Sequence, residues 1–147
     1  MPTRSARTAW TGGLQDGSGQ VELTSSGLGT YDVSFPKRAA EDADGSTSPE
    51  ELIAAAHSAC YAMSLSKLAA DAGGTVHALD VSADVTLGPD NEAGGVKLTG
   101  IKLTVRGEVE GIDDAAFKEA AAQAKVGCPV SKALTGVEIT LDAALES

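Results

Sequence analysis

The sequence predicts a single α+β domain spanning residues 1–147. Three observations predict it. The run from Leu52 to Ala70 is almost wholly Ala, Leu, Ile, Ser and Met, and is too long for a strand, so it reads as a buried helix. Residues 79–87 and 101–109 alternate apolar and polar side chains with the period of a half-buried strand. Short alternations punctuated by glycine precede them. A chain of 147 residues with 42% hydrophobic and 22% charged residues can bury a sizeable core, which excludes disorder, collagen and coiled coil. Aromatics are only 3%, so that core is built from Ala, Val, Leu and Ile.

The elements follow in order. Val21 and Leu23, then Tyr31, Val33 and Phe35, mark brief strands joined by turns at Gly12-Gly13, Gly17–Gly19 and Gly27–Gly29. Residues 39–47 form an acidic loop. Ser48 then supplies an N-cap, Pro49 the first helical residue and Glu51 the far end of a capping box. The helix that follows makes roughly six turns and ends at Gly73-Gly74. Lys67 is the one charged residue between Leu52 and Ala70, so burial on most sides is expected, by a sheet and by a second subunit. Leu79, Val81, Ala83, Val85 and Leu87 share one strand face; Ile101, Leu103, Val105 and Val109 share another. Joined by a loop at 88–95, they predict an antiparallel sheet covered on one side. A second helix runs from Asp113 to Ala124 with Phe117, Ala120, Ala121 and Ala124 as its stripe. Gly127-Cys128-Pro129 restarts a short helix through Leu134, and Val137, Ile139 and Leu141 form a closing strand.

Charge removes whole classes of function. The net charge is −10, with no basic run, which opposes binding to nucleic acid phosphates and to anionic membrane surfaces. The few aromatics offer no base-stacking platform. No stretch has the ~18–20 apolar residues of a membrane span. Two arginines lie near the N-terminus, but no apolar core of a signal peptide follows them, so a cytoplasmic location is expected.

Two cysteines remain, Cys60 and Cys128, with two histidines, His57 and His77. A structural disulfide is uncommon in a reducing compartment, and two cysteines are too few for a structural zinc site. Two buried thiols, a catalytic thiol with a helper, and a redox pair all fit. His57 lies three residues before Cys60, on the same helix face, where contact would stabilise a thiolate. Cys128 sits at a helix start with Pro129 in the first helical position, where free N–H groups lower a thiol pKa. Electrostatics alone therefore makes Cys128 the more acidic thiol.

Two long motifs, Ser48-Pro49-Glu50-Glu51-Leu52-Ile53-Ala54-Ala55-Ala56-His57-Ser58-Ala59-Cys60 and Gly127-Cys128-Pro129-Val130-Ser131-Lys132-Ala133-Leu134, closely resemble the OsmC/Ohr family of thiol-dependent peroxidases, its OsmC branch in particular. The order of elements matches over nearly the whole chain. The resemblance implies an OsmC-like fold, with antiparallel sheets packed around a long buried central helix in an intertwined homodimer. It implies that Cys60 is the peroxidatic cysteine and Cys128 the resolving one. Glu50 matches the glutamate of the family's Pro-Glu motif, and Arg38 the arginine that faces the reactive thiol. His57, where the Ohr branch often has Tyr, is a possible auxiliary residue.

These roles fit the physical chemistry. A thiol of pKa about 8.5 is only ~3% thiolate at pH 7, so a depressed pKa gains about thirtyfold at most. Peroxide binding and stabilisation of the leaving alkoxide must supply the rest, and an arginine does both. Glu50 can orient Arg38 through a bidentate pair. Ten helical residues separate Glu50 from Cys60 by about 15 Å, so Arg38 is expected to reach Cys60 across a subunit boundary. The implied cycle runs through a Cys60 sulfenic acid and a Cys60–Cys128 disulfide, which an external dithiol of the lipoamide type reduces. No bound cofactor and no metal are expected. Apolar residues near Cys60 in sequence, Leu52, Ile53, Met63 and Leu65, suit an alkyl hydroperoxide. The competing readings are a Cys-His acyl-transfer enzyme using Cys60 and His57, and a non-catalytic dimer that binds a small molecule.

Overall fold

The computed structural model describes residues 1–146, so Ser147, the last residue of the expected domain, lies outside the described residues. The chain forms two compact units, Met1–Leu52 and the part from Ile53 onward.

The first unit holds β1 (Arg7–Thr11), β2 (Ser18–Glu22) and β3 (Thr30–Val33), an antiparallel sheet in the order β1-β2-β3. β2 and β3 lie where the alternations put them. β1 has no apolar alternation of its own; it is an exposed edge strand held by pairing with β2, Thr8 opposite Val21. Phe35, expected at the end of a strand, instead opens α1 (Phe35–Ala39). The Ser34 hydroxyl accepts from the Lys37 N–H at 3.3 Å, and Pro36 presets the first turn. That one turn of helix is what presents Arg38.

α2 (Pro49–Asp71) begins in this unit and runs on into the next. Ser48 Oγ accepts from the Glu51 N–H at 3.1 Å, which is half of the expected capping box. The other half is missing, because the Thr47 hydroxyl donates to the Glu51 carboxylate instead. Gly73, at φ +98°, turns the chain out of the helix. His57, Tyr61, Leu65 and Ala69 form a fully buried stripe at four-residue spacing. Burial on most sides is not what a single chain provides: Ala55, Ala56, Ala59 and Met63 are exposed.

The second unit adds β4 (Thr75–Pro89), β5 (Val96–Glu110), α3 (Asp114–Gly127), α4 (Pro129–Ala133) and β6 (Ile139–Leu145). β4 and β5 form the expected antiparallel hairpin, extended beyond the alternating segments at both ends. β6 pairs with β5 in parallel, so this sheet, in the order β4-β5-β6, is mixed and not wholly antiparallel. The physical reason is connectivity: α3 and α4 together supply the crossover that a parallel neighbour requires. Asp113 caps α3 by accepting from the Ala116 N–H at 2.8 Å, and Phe117, Ala120, Ala121 and Ala124 are its buried stripe, as expected. They pack with Tyr61, Leu65 and Ala69 of α2 and Leu103, Val105 and Val109 of β5. Phe117 lies directly on β5 because Gly107 has no side chain: a Cβ there would sit 2.6 Å from a ring carbon.

Candidate active site

Cys60 stands halfway along α2, and Cys128 is the N-cap residue of α4. Their Sγ atoms are 3.0 Å apart and both are free thiols. A disulfide measures about 2.05 Å, so the sulfurs touch without being bonded. Two local features fix this contact. The Tyr61 hydroxyl donates to the Ala121 carbonyl at 2.9 Å, which ties the Cys60 turn of α2 to α3. The Cys128 N–H donates to the Ala124 carbonyl at 3.0 Å, which closes α3, and Pro129 then starts α4.

The two sulfurs differ electrostatically. Cys128 is fully buried, whereas Cys60 is half-buried. Burial pushes the Cys60 thiol up and the Cys128 sulfur beside it pushes it further; the Val130 N–H and the Ser64 hydroxyl offset only part of this. Burial also pushes Cys128 up, but the Cys60 thiol, the N–H and hydroxyl of Ser131, and the Val130 N–H pull it down by more. Cys128 makes no side-chain capping hydrogen bond, so the N–H groups act on its sulfur as aligned dipoles. Within one chain these surroundings favour the thiolate on Cys128 over Cys60, the direction its helix-start position predicts. Burial and then the charge on Cys128 raise the Tyr61 phenol far above its ordinary value.

His57 is fully buried, and its Nε2 lies 2.7 Å from Ser131 Oγ. Its Nδ1 has no partner. The helix face shared with Cys60 thus does not produce the expected Cys–His contact: the imidazole turns inward to α4. Burial holds its pKa below the ordinary value. A Cys-His acyl-transfer site would need that imidazole on Cys60.

Arg38 and Glu50 meet in the first unit. Arg38 Nε donates to both carboxylate oxygens, at 3.0 and 3.2 Å, and Nη2 donates to Oε1 at 2.7 Å. Glu50 is 7% exposed, and this fork supplies its carboxylate with three hydrogen bonds. The neighbouring Lys37 is engaged by Asp44, whose carboxyl that lysine holds below the usual range. Arg38 lines an open groove of about 410 Å³ with Trp10, Leu14, Val21, Phe35 and Leu52.

The apolar residues expected around Cys60 do not form one wall. Leu65 lies in the core, Met63 is 74% exposed and Leu52 lines the Arg38 groove. Leu65 is five residues from Cys60, about 140° around the helix. Sequence reasoning missed Ser64, Tyr61 and Ser131; Ser131, three residues after the helix-start Cys128, was the one with a readable signal.

An α+β protein that holds two free thiols in contact, one on a long helix and one at a helix start, is a protein of thiol redox chemistry. The OsmC-like protein family model matches residues 41–142, and the chain belongs to this family. It is 39% identical over 144 residues to "Peroxiredoxin OsmC" of Escherichia coli strain K12, covering 98% of this chain and 97% of that protein. The organic hydroperoxide resistance protein OhrB of Bacillus subtilis superposes with a TM-score of 0.74 at 28% identity, covering 95% of this chain and 97% of that one. An organic hydroperoxide resistance protein from Elizabethkingia anophelis, with thiocyanate bound, gives a TM-score of 0.75 at 26% identity and 99% of both chains. Among the described residues, no cluster of three or more His, Cys, Asp or Glu could hold a metal ion, and no helix is long and apolar enough to cross a membrane.

Proposed function

We propose that this chain is a cysteine-based peroxidase that reduces organic hydroperoxides, and more slowly hydrogen peroxide, in oxidative and osmotic stress defence. The observation that carries the reading is the 3.0 Å contact between the Cys60 and Cys128 sulfurs. The names of its relatives, a peroxiredoxin and organic hydroperoxide resistance proteins, support the same chemistry. Residues 1–147 act in it as one OsmC/Ohr-like domain.

The Cys60 thiolate attacks one peroxide oxygen. The O–O bond breaks, the departing alkoxide takes a proton and leaves as alcohol, and Cys60 becomes a sulfenic acid. The Cys128 thiolate attacks that sulfur; hydroxide leaves, takes a proton as water, and a Cys60–Cys128 disulfide forms. An external dithiol of the lipoamide type then reduces the disulfide to two thiols and is itself oxidised to a disulfide. Cys128 is the better leaving group in this exchange, because its thiolate is the more stable.

Cys60, raised by burial, needs a cation to take the charge. Arg38, steered by Glu50, supplies it and donates hydrogen bonds to the peroxide and the departing oxygen. His57 acts only as an auxiliary. The arginine at each Cys60 is Arg38 of the partner subunit, in a homodimer with two active sites at its interface. The exposed apolar face of α2, Ala55, Ala56, Ala59 and Met63, supports that assembly. The net charge of −10 suits a cytoplasmic protein that binds neither nucleic acid nor membrane.

Rapid mixing of the reduced protein with cumene hydroperoxide and, separately, hydrogen peroxide tests the reading. Fast loss of both thiols to a Cys60–Cys128 disulfide by intact mass, faster with the organic peroxide, is expected. Two unchanged thiols under excess peroxide would refute it.

A further inference from the structure

α4 is five residues long and carries Cys128 at its start. A helix that short does not persist on its own, so what holds it against α2 decides where Cys128 stands. Of its five residues only Ser131 is buried, at 3% exposed; Val130 is half-buried against the core, and Pro129, Lys132 and Ala133 are exposed. The buried residue is a serine, not an apolar anchor, and its Oγ lies 2.7 Å from His57 Nε2, a full hydrogen bond between α4 and α2.

His57 is 0% exposed, and its Nδ1 has no partner among the described residues. The bond to Ser131 is therefore what offsets the cost of burying this imidazole. In either tautomer of the neutral ring, one proton bridges Nε2 and Oγ.

The spacing ties this bond to the two sulfurs. His57 and Cys60 are three residues apart on α2, and Cys128 and Ser131 are three residues apart across the start of α4. His57 meets Ser131, and Cys60 meets Cys128 at 3.0 Å, so the two contacts cross between the helices in antiparallel order. They lie about 4.5 Å apart along α2. A single contact would let a one-turn helix pivot; two, nearly a turn apart, fix its direction and register. Oxidation of Cys60 places an oxygen on its sulfur and disturbs the sulfur contact. The hydrogen bond is the one of the pair that survives that step.

We propose that the His57–Ser131 hydrogen bond is a clamp that holds α4 on α2 while Cys60 is oxidised, so that Cys128 stays within reach of the sulfenic acid. Both are positioning residues for the resolving step, and neither takes part in the attack on peroxide. The proposal rests on the reading of Cys60 as the peroxidatic and Cys128 as the resolving cysteine. The sulfenic acid has two fates. Cys128 displaces hydroxide from it to give the disulfide. A second hydroperoxide oxidises it instead: the O–O bond breaks, an alcohol leaves, and Cys60 becomes a sulfinic acid. The clamp favours the first fate, because an intramolecular attack is only as fast as its groups are well placed.

The test compares Ser131→Ala, His57→Leu and the double variant with the parent, each checked for folding by circular dichroism. His57→Asn, too short to reach the Nε2 position, replaces His57→Leu should that variant not fold. Hydrogen exchange in the reduced proteins reads the docking of α4 through the N–H groups of Lys132 and Leu134, which donate to the Cys128 and Val130 carbonyls at 3.0 Å. Each single variant should exchange about tenfold faster there, the equilibrium effect of one hydrogen bond. Rapid quench after mixing with cumene hydroperoxide, read by intact mass, separates the two chemical steps. Sulfenic acid should form at the parent rate, disulfide roughly three- to tenfold more slowly, and more sulfinic acid should accumulate at the same peroxide concentration. The double variant should be no slower than either single, because both remove the same bond. Unchanged exchange, an unchanged disulfide rate, a first step slowed as much as the second, or costs that multiply in the double variant would each overturn the clamp. Parent thiols that excess peroxide leaves unchanged would overturn the peroxidase reading instead, and the exchange rates would still decide whether the bond holds α4.

Discussion

Arg38→Ala and Glu50→Gln both break the same ion pair, and their costs should differ in a definite direction. The Glu50 side chain is 9% exposed and the Arg38 side chain 29%. Removing the arginine strands a nearly buried carboxylate that has lost all three of its guanidinium hydrogen bonds. A stranded buried charge costs ~3–5 kcal/mol, and partial access to water brings the expectation here to about 2–3 kcal/mol. Glu50→Gln keeps an acceptor oxygen in place and leaves an arginine that can turn to solvent, at about 1 kcal/mol. Urea unfolding at neutral pH measures both. Peroxide turnover should not follow stability: Glu50→Gln, though nearly as stable as the parent, loses the fork that aims Arg38. At about 1.4 kcal/mol per tenfold, a loss of roughly 10- to 100-fold in kcat/KM corresponds to misdirecting one or two charge-assisted hydrogen bonds. Equal unfolding costs, or a costlier Glu50→Gln, would refute the burial argument. A Glu50→Gln enzyme of undiminished kcat/KM would refute the aiming role.

Gly107→Ala should destabilise the second unit by about 1–3 kcal/mol, because its Cβ would meet the Phe117 ring at 2.6 Å; an unchanged thermal midpoint would show that the ring moves freely. His57 makes stability depend on pH. Its folded pKa is lowered, so the unfolded chain binds more protons just below pH 6.5. Its contribution is complete above pH 6.5 and declines as pH falls toward the folded pKa, by at most ~1.4 kcal/mol per unit. Asp44, Asp90 and Asp142, lowered from 3.8, titrate below this window. His57→Gln should flatten the decline in urea stability between about pH 7 and pH 5, and a slope equal to the parent's would refute the assignment. Met63→Glu, on the exposed face of α2, should shift sedimentation toward monomer, whereas a self-association unaffected by that charge would place the dimer surface elsewhere.

What could be read in advance depended on whether a residue's partner was local. α2 and α3 were legible because their caps, stripes and stops lie within the same segment: Ser48, Asp113, Phe117 and Gly73 act within a few residues of themselves. β1 and the parallel setting of β6 were not, because pairing partners far along the chain decide both, Thr8 with Val21 and Ile139 with Ile101. The same distinction runs through the site. Cys60, Cys128 and Glu50 stood out because long motifs carried them, whereas Arg38 lies outside both motifs and was placed by the family resemblance alone. His57 was noticed for the wrong neighbour: three residues to Cys60 suggested a contact, but a helix fixes only which face a side chain shares, and the imidazole found Ser131, 74 residues away. Nothing local marks that serine as a partner of a histidine on another helix. Its significance comes from burial on both sides and from an unpartnered ring nitrogen, quantities that exist only once α2 and α4 have packed together.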